Sequence, residues 1–217
     1  MISQFLRREF DSGGAGFYVF IVTPVALLAA FVFPPSFAPF IMSAAFFPVY
    51  FYFTRRENHL KAMLYLAVWA MMEFSGLSFA VSFSPSAVGA ALGLTEPNPL
   101  RMAFGWRMAD LVYSSALSLV SGGAFFLVKA AVKINDSAFH FGSFLYAGNL
   151  AGAFYSLAPW KLITGLGHVL AAQGSASVFY AKLEGGSVNW KKTAWLILAG
   201  LAMGATGWLL EALFQRP

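Results

Sequence analysis

Residues 61–83 read KAMLYLAVWAMMEFSGLSFAVSF, and after Lys61 the only charge in the run is Glu73. At about 1.5 Å of rise per residue, such a run is long enough as a helix to cross a hydrocarbon core about 30 Å thick. Six further apolar runs fill the chain, at about 17–33, 37–54, 108–131, 141–157, 161–181 and 193–213. Apolar residues make up 59% of the 217 residues and charged residues 11%. A soluble domain carries about a quarter charged residues, so too few charges are present to cover a globule. An aromatic share of 18% suits lipid-facing surfaces and interfacial belts. The expected fold class is therefore all-α: a polytopic transmembrane helical bundle of six or seven spans. It forms a single transmembrane domain over residues 1–217, with no stretch polar enough for a second, soluble one.

The segments between the runs refine this expectation. Residues 1–12 set Ile2, Phe5, Leu6 and Phe10 against Gln4, Arg7 and Arg8, the pattern of a short N-terminal interfacial helix. Pro34 and Pro35 make so tight a turn that the first two runs either span or form a re-entrant pair. Pro85, Pro97 and Pro99 punctuate the one sizeable loop, 84–106, which has room for a short interfacial helix at 87–94. Asn135-Asp136-Ser137 reads as a polar loop after the fourth span. Residues 141–181 would measure about 60 Å as one helix, twice the hydrocarbon thickness, so a break at Pro159 is expected.

Charge gives the orientation. With the N-terminus cytoplasmic, ten basic residues lie inside: Arg7, Arg8, Arg55, Arg56, Lys61, Lys129, Lys133, Lys182, Lys191 and Lys192. Four lie outside: Arg101, Arg107, Lys161 and Arg216. That asymmetry follows the positive-inside bias, and an odd number of spans places the C-terminus outside. The expected location is a bacterial or archaeal cytoplasmic membrane. The net charge of +5 is scattered over short loops and belongs to topology, so no nucleic-acid partner is expected.

Four polar residues stand out within the apolar runs. Glu73 lies near mid-bilayer, where a carboxylate is unfavourable by roughly 2.5–3.5 kcal/mol on insertion scales and must face other helices or water. It reads either as a proton or cation carrier or as a neutral acid hydrogen-bonded to a neighbouring helix. Asn149 sits in the fifth run between Gly148 and Gly152, and His168 in the sixth. Asp110 is three residues from Arg107, one helical face apart, which suits an ion pair. Glu73, Asn149 and His168 together would make a polar track for transport.

Other chemistry finds no support in the sequence. The three histidines, His59, His140 and His168, supply no pair at one depth for a haem. No HExxH or clustered His and carboxylate spacing occurs, and there is no cysteine. Ser175 and Ser177 have no base on a neighbouring helix. No catalytic, cofactor-binding or metal-binding residue is assigned, no cofactor is expected, and the chain is not read as an enzyme. Gly148-xxx-Gly152 and Gly200-xxx-Gly204 are small-xxx-small faces that permit close helix packing, as do Ser121, Gly122 and Gly123. Besides the lipid bilayer, such faces offer contacts to a membrane-protein partner or a second copy of the chain.

From residue 116 onward the order of features resembles the Yip1-type membrane domain. The corresponding segments are SLVSGGAFFLVKAAV, KINDSAFHF, GSFLYAGNLAGAFYSLAPW and the hairpin around KLEGGSVNWKK. The resemblance covers about half the chain and rests on hydropathy and small residues. It implies an odd number of spans and a scaffold or trafficking-type role without chemistry. The first functional expectation is thus a non-enzymatic scaffold or accessory subunit of a membrane complex. The alternative is a small transporter or channel component using Glu73, Asn149 and His168.

Overall fold

The computed structural model describes residue 10 and residues 14–94 and 104–214. The expected interfacial helix at 1–12 lies, apart from Phe10, outside the described residues. Among the described residues the chain is helical, with no strand. In order, the helices are α1 (Gly14–Ala30), α2 (Ala38–Arg55), α3 (His59–Phe83), α4 (Pro85–Leu92), α5 (Phe104–Ser121), α6 (Ala124–Tyr146), α7 (Leu150–Ser156), α8 (Pro159–Leu183) and α9 (Trp190–Phe214). Four helical stretches are long and apolar enough to cross a membrane: Pro35–Arg55, His59–Phe83, Leu150–Leu183 and Trp190–Phe214. The third of these is broken at residues 157–158, just before Pro159 begins α8. Helix α1 is equally apolar but shorter, at 17 residues.

These helices are compatible with a membrane protein for a second reason, the character of their exposed faces. Leu66, Trp69, Glu73 and Leu77 of α3 are buried, while Leu64, Met71 and Phe79 on other faces are more than half exposed. On α9, Trp195, Leu198, Leu209 and Leu213 are likewise exposed. A helix that is apolar all round and still exposes large hydrophobic side chains fits lipid, not water, as its surroundings.

The chain forms two compact units. The first draws on Met1–Pro97 and Leu127–Ser156, the second on Asn98–Phe126 and Leu157–Pro217. In the first, α2 and α3 form a hairpin whose tight turn has Glu57 at φ 54° and Asn58 capping α3 by accepting from the Lys61 N–H at 3.3 Å. Phe53 stacks on Tyr65 and Phe46 on Trp69 across the hairpin. Helix α1 packs on both members, with the Tyr18 hydroxyl donating to the Ala45 carbonyl at 3.0 Å.

In the second unit α8 and α9 form the tightest pair. A Cβ added at Gly167 would lie 2.6 Å from the Gly204 nitrogen and 2.7 Å from the Gly200 oxygen. One added at Gly200 would lie 2.6 Å from both the Ala171 nitrogen and the Gly167 oxygen. Backbone thus meets backbone, an approach open only to small residues. Gly204 itself faces the tip of Leu111 on α5.

Three expectations are corrected. The run 108–131 is not continuous: Gly122 and Gly123 have φ of 59° and 91°, a left-handed pair that ends α5 before α6 begins at Ala124. Asn135-Asp136-Ser137 is not a loop but lies inside α6, because tertiary burial of Asn135 outweighs the weak helix preference of the triplet. Gly148 is not a helix-packing residue. At φ 70° it forms the turn between α6 and α7, and nothing lies within 4 Å of a Cβ added there. Gly152 packs against the Phe144 ring of its own helical hairpin.

The α8–α9 geometry predicts that Gly200→Leu destabilises the protein by at least about 1–3 kcal/mol, the usual range for overfilling a close contact. Gly165→Leu, where no atom lies within 4 Å of the added Cβ, should leave the melting temperature in detergent unchanged. Equal melting of the two variants would remove the backbone contact from the account.

Candidate functional site

The described residues place the four candidate polar residues in different surroundings. Asn149 is exposed, and its Oδ1 accepts from the Gly152 N–H at 2.9 Å, which makes it the N-cap of α7. It caps the helix that follows the left-handed turn at Gly148. Glu73 is 1% exposed in the first unit, and among the described residues neither carboxylate oxygen has a hydrogen-bond partner. His168 and Asp110 belong to the second unit and come together, with His168 Nε2 3.8 Å from Asp110 Oδ2. The ion pair of Arg107 is made with Glu211 on α9.

The His168 ring is fixed from its other side. Its Nδ1 lies 3.0 Å from the Thr164 carbonyl, which can only accept, so Nδ1 carries the proton. Nε2 is then aimed at the Asp110 carboxylate, while the Trp208 ring packs edge-on against the imidazole at 5.9 Å.

This pair is one end of a longer polar line. At the other end of the α5–α8 interface, the Tyr180 hydroxyl donates to the Gly122 carbonyl at 2.6 Å. Asp110 and His168 are 58 residues apart in the chain, as are Gly122 and Tyr180. The two helices therefore run parallel in one fixed register. That register sets Ser114 level with Ala172, Ser115 with Gln173 and Ser118 with Ala176. All three serines are buried, and Gln173 is completely so.

The serines are held by their own helix. Ser114, Ser115 and Ser118 donate to the carbonyls of Asp110, Leu111 and Ser114 at 2.6, 2.8 and 2.8 Å. With the hydroxyl protons so used, the Ser115 and Ser118 oxygens can act further only as acceptors. Gln173 lies at their level, and among the described residues neither its Nε2 nor its Oε1 has a hydrogen-bond partner. A buried amide without partners is unfavourable by about 1–3 kcal/mol per lost bond, so the site has unused capacity for a polar guest. From Asp110 to Gly122 the line extends about 18 Å at helical rise.

Sequence reasoning missed Gln173, Tyr180 and the serines. Their signal was present in the helical spacing of Ser114, Ser118 and Ser121, but only the register turns it into a line. Among the described residues no cluster of three or more His, Asp or Glu could hold a metal ion.

The register is testable in a chain without native cysteines. Ser118→Cys combined with Ala176→Cys should form a disulfide on mild oxidation, since bridged residues need Cα atoms about 4.4–6.8 Å apart. Ser118→Cys with Val178→Cys should not. Cross-linking of the second pair but not the first would mean a different register. No family model, curated protein or solved structure matches this chain.

Proposed function

We propose that this chain is a small multi-pass membrane transport protein, in which the α5–α8 interface conducts protons or small cations. The observation that carries this reading is the polar line made of the half-buried pair Asp110–His168, the buried Ser114, Ser115, Gln173 and Ser118, and the Tyr180–Gly122 contact, all within one unit. Intramembrane polar residues are unfavourable unless they face a protein interior or an aqueous path, and they mark such paths in membrane proteins. The proposed track keeps His168 and Asp110 from the sequence reading and replaces Asn149 with Gln173.

A second reading, a scaffold or accessory subunit of a membrane complex, draws on the Yip1-type resemblance and on the small-residue contacts of α8 and α9. On either reading the chain resides in a bacterial or archaeal cytoplasmic membrane, with the N-terminus inside, the C-terminus outside, and six or seven crossings. The small-residue faces and exposed aromatic residues would serve a membrane-protein partner or a second copy.

Purified protein in liposomes loaded with a pH-sensitive dye separates the two. Transport predicts that an imposed pH gradient collapses faster than in protein-free vesicles. Gln173→Leu should slow the collapse about tenfold, equivalent to about 1.4 kcal/mol on a barrier, without lowering the melting temperature. A rate equal to that of empty vesicles would favour the scaffold reading. The orientation predicts that Ser84→Cys is labelled by an impermeant reagent in intact cells and Ser187→Cys is not. The reverse labelling would invert the topology.

A further inference from the structure

Between its ends the α5–α8 interface is neutral. Residues 111–122 of α5, 169–180 of α8 and 193–207 of α9 contain no Asp, Glu, Lys, Arg or His. That neutral stretch runs the whole length of the line beyond the Asp110–His168 pair. The end with the pair is the open one. There the Asp110 side chain is 40% exposed and His168 16%, whereas Gln173, five residues further along α8, is completely buried. Gln173 precedes Tyr180 by seven residues, two helical turns, so it shares the face of α8 from which the Tyr180 hydroxyl reaches α5.

An alkali cation and a proton meet this stretch on different terms. The cation must exchange its hydration shell for oxygen ligands and counter-charge. The neutral helices offer hydroxyl and amide oxygens but no carboxylate. A proton moves as a bonded hydrogen passed between nitrogen and oxygen atoms, and needs only donors and acceptors in series. His168, the buried serines and the Gln173 amide supply such groups, with water bridging gaps longer than a hydrogen bond.

His168 has one nitrogen for this task. Its Nδ1 keeps a proton on the Thr164 carbonyl, 3.0 Å away, so a second proton adds to Nε2, 3.8 Å from Asp110 Oδ2. One N–H bond forms as the proton arrives, and the same bond breaks as it leaves. Around the imidazole stand, on α5, Asp110 and, one turn earlier, Arg107. On α9 they are Trp208 and, one turn later, Glu211, and on α8 Thr164 and, two turns earlier, Lys161. Arg107 and Glu211 neutralise each other as an ion pair, so Asp110 supplies the counter-charge for a protonated ring.

We infer that the ion carried between α5 and α8 is the proton, to the exclusion of alkali cations, and that it enters by binding His168 Nε2 opposite Asp110. The inference rests on the transport reading and narrows it to one ion and one entry residue.

The test uses purified protein in liposomes, with valinomycin and equal K+ on both sides to cancel the voltage. A pH-sensitive dye reads internal pH and a sodium-sensitive dye reads internal Na+. The wild type should dissipate an imposed pH gradient faster than protein-free vesicles do, and should leave an imposed Na+ gradient intact. Its proton flux should rise and then level off as external pH falls from about 8 to about 5, the range in which imidazoles titrate. His168→Gln, which has no basic nitrogen, should lose that levelling. Asp110→Asn should move it about one pH unit lower, because the imidazolium loses its counter-charge. A Na+ flux that equals or exceeds the proton flux overturns the inference and leaves the transport reading standing. So does a proton flux whose pH dependence is the same in His168→Gln as in the wild type. No flux of either ion above that of empty vesicles removes both readings. The comparison of ions needs only the wild type, so it decides even where a variant does not fold.

Discussion

Within a bilayer no water is available to satisfy backbone groups, so the chain must close its hydrogen bonds inside helices and spend as few residues as possible turning. Most features of the fold follow from that constraint. Five of the turns among the described residues fall at left-handed conformations: Glu57, Gly93, Gly122 with Gly123, Gly148 and Gly185. Each turn also answers the backbone groups that a helix end exposes. The Tyr180 hydroxyl binds the Gly122 carbonyl at the end of α5, and the Asn149 side chain binds an amide at the start of α7. The turns are thus chemically occupied positions, and the one at Gly122 belongs to the α5–α8 line.

The constraint also explains what can and cannot be read from the chain. Helices α2, α3, α8 and α9 coincide closely with the apolar runs, since Pro34-Pro35, Pro159 and the polar turn before Trp190 bound them on both sides. The break at Gly122-Gly123 does not announce itself, because two glycines in an apolar run read equally well as a packing face. In this chain they do both jobs: a Cβ at Gly122 would lie 2.6 Å from the Tyr180 hydroxyl oxygen. The triplet Asn135-Asp136-Ser137 reads as a loop by composition, and only the contact of Asn135 with Met42, 93 residues away, explains why it is helical.

The candidate sites were legible by residue type and illegible by grouping. Glu73 and His168 stand out in any hydropathy reading because each is ionisable in an apolar run. Which residues they meet depends on helix register, a tertiary quantity that spacing along one helix does not contain. Asp110 is the clearest instance. Its nearest basic residue in sequence is Arg107, yet Arg107 pairs with Glu211 on α9 and Asp110 faces His168 on α8. Local spacing suggested a pair within one helix, while the packing of three helices divided its members between two partners.

The two units answer buried polarity in different ways. In the second, serine hydroxyls are anchored to their own helix and spread polar groups evenly along an interface, so that no single position traps a charge. An arrangement of that kind favours passage. In the first, polarity is concentrated in one group: Glu73 is buried on the helix that also buries Trp69 and Leu77, and among the described residues its carboxylate has no hydrogen-bond partner, so the cost of desolvation falls on a single position.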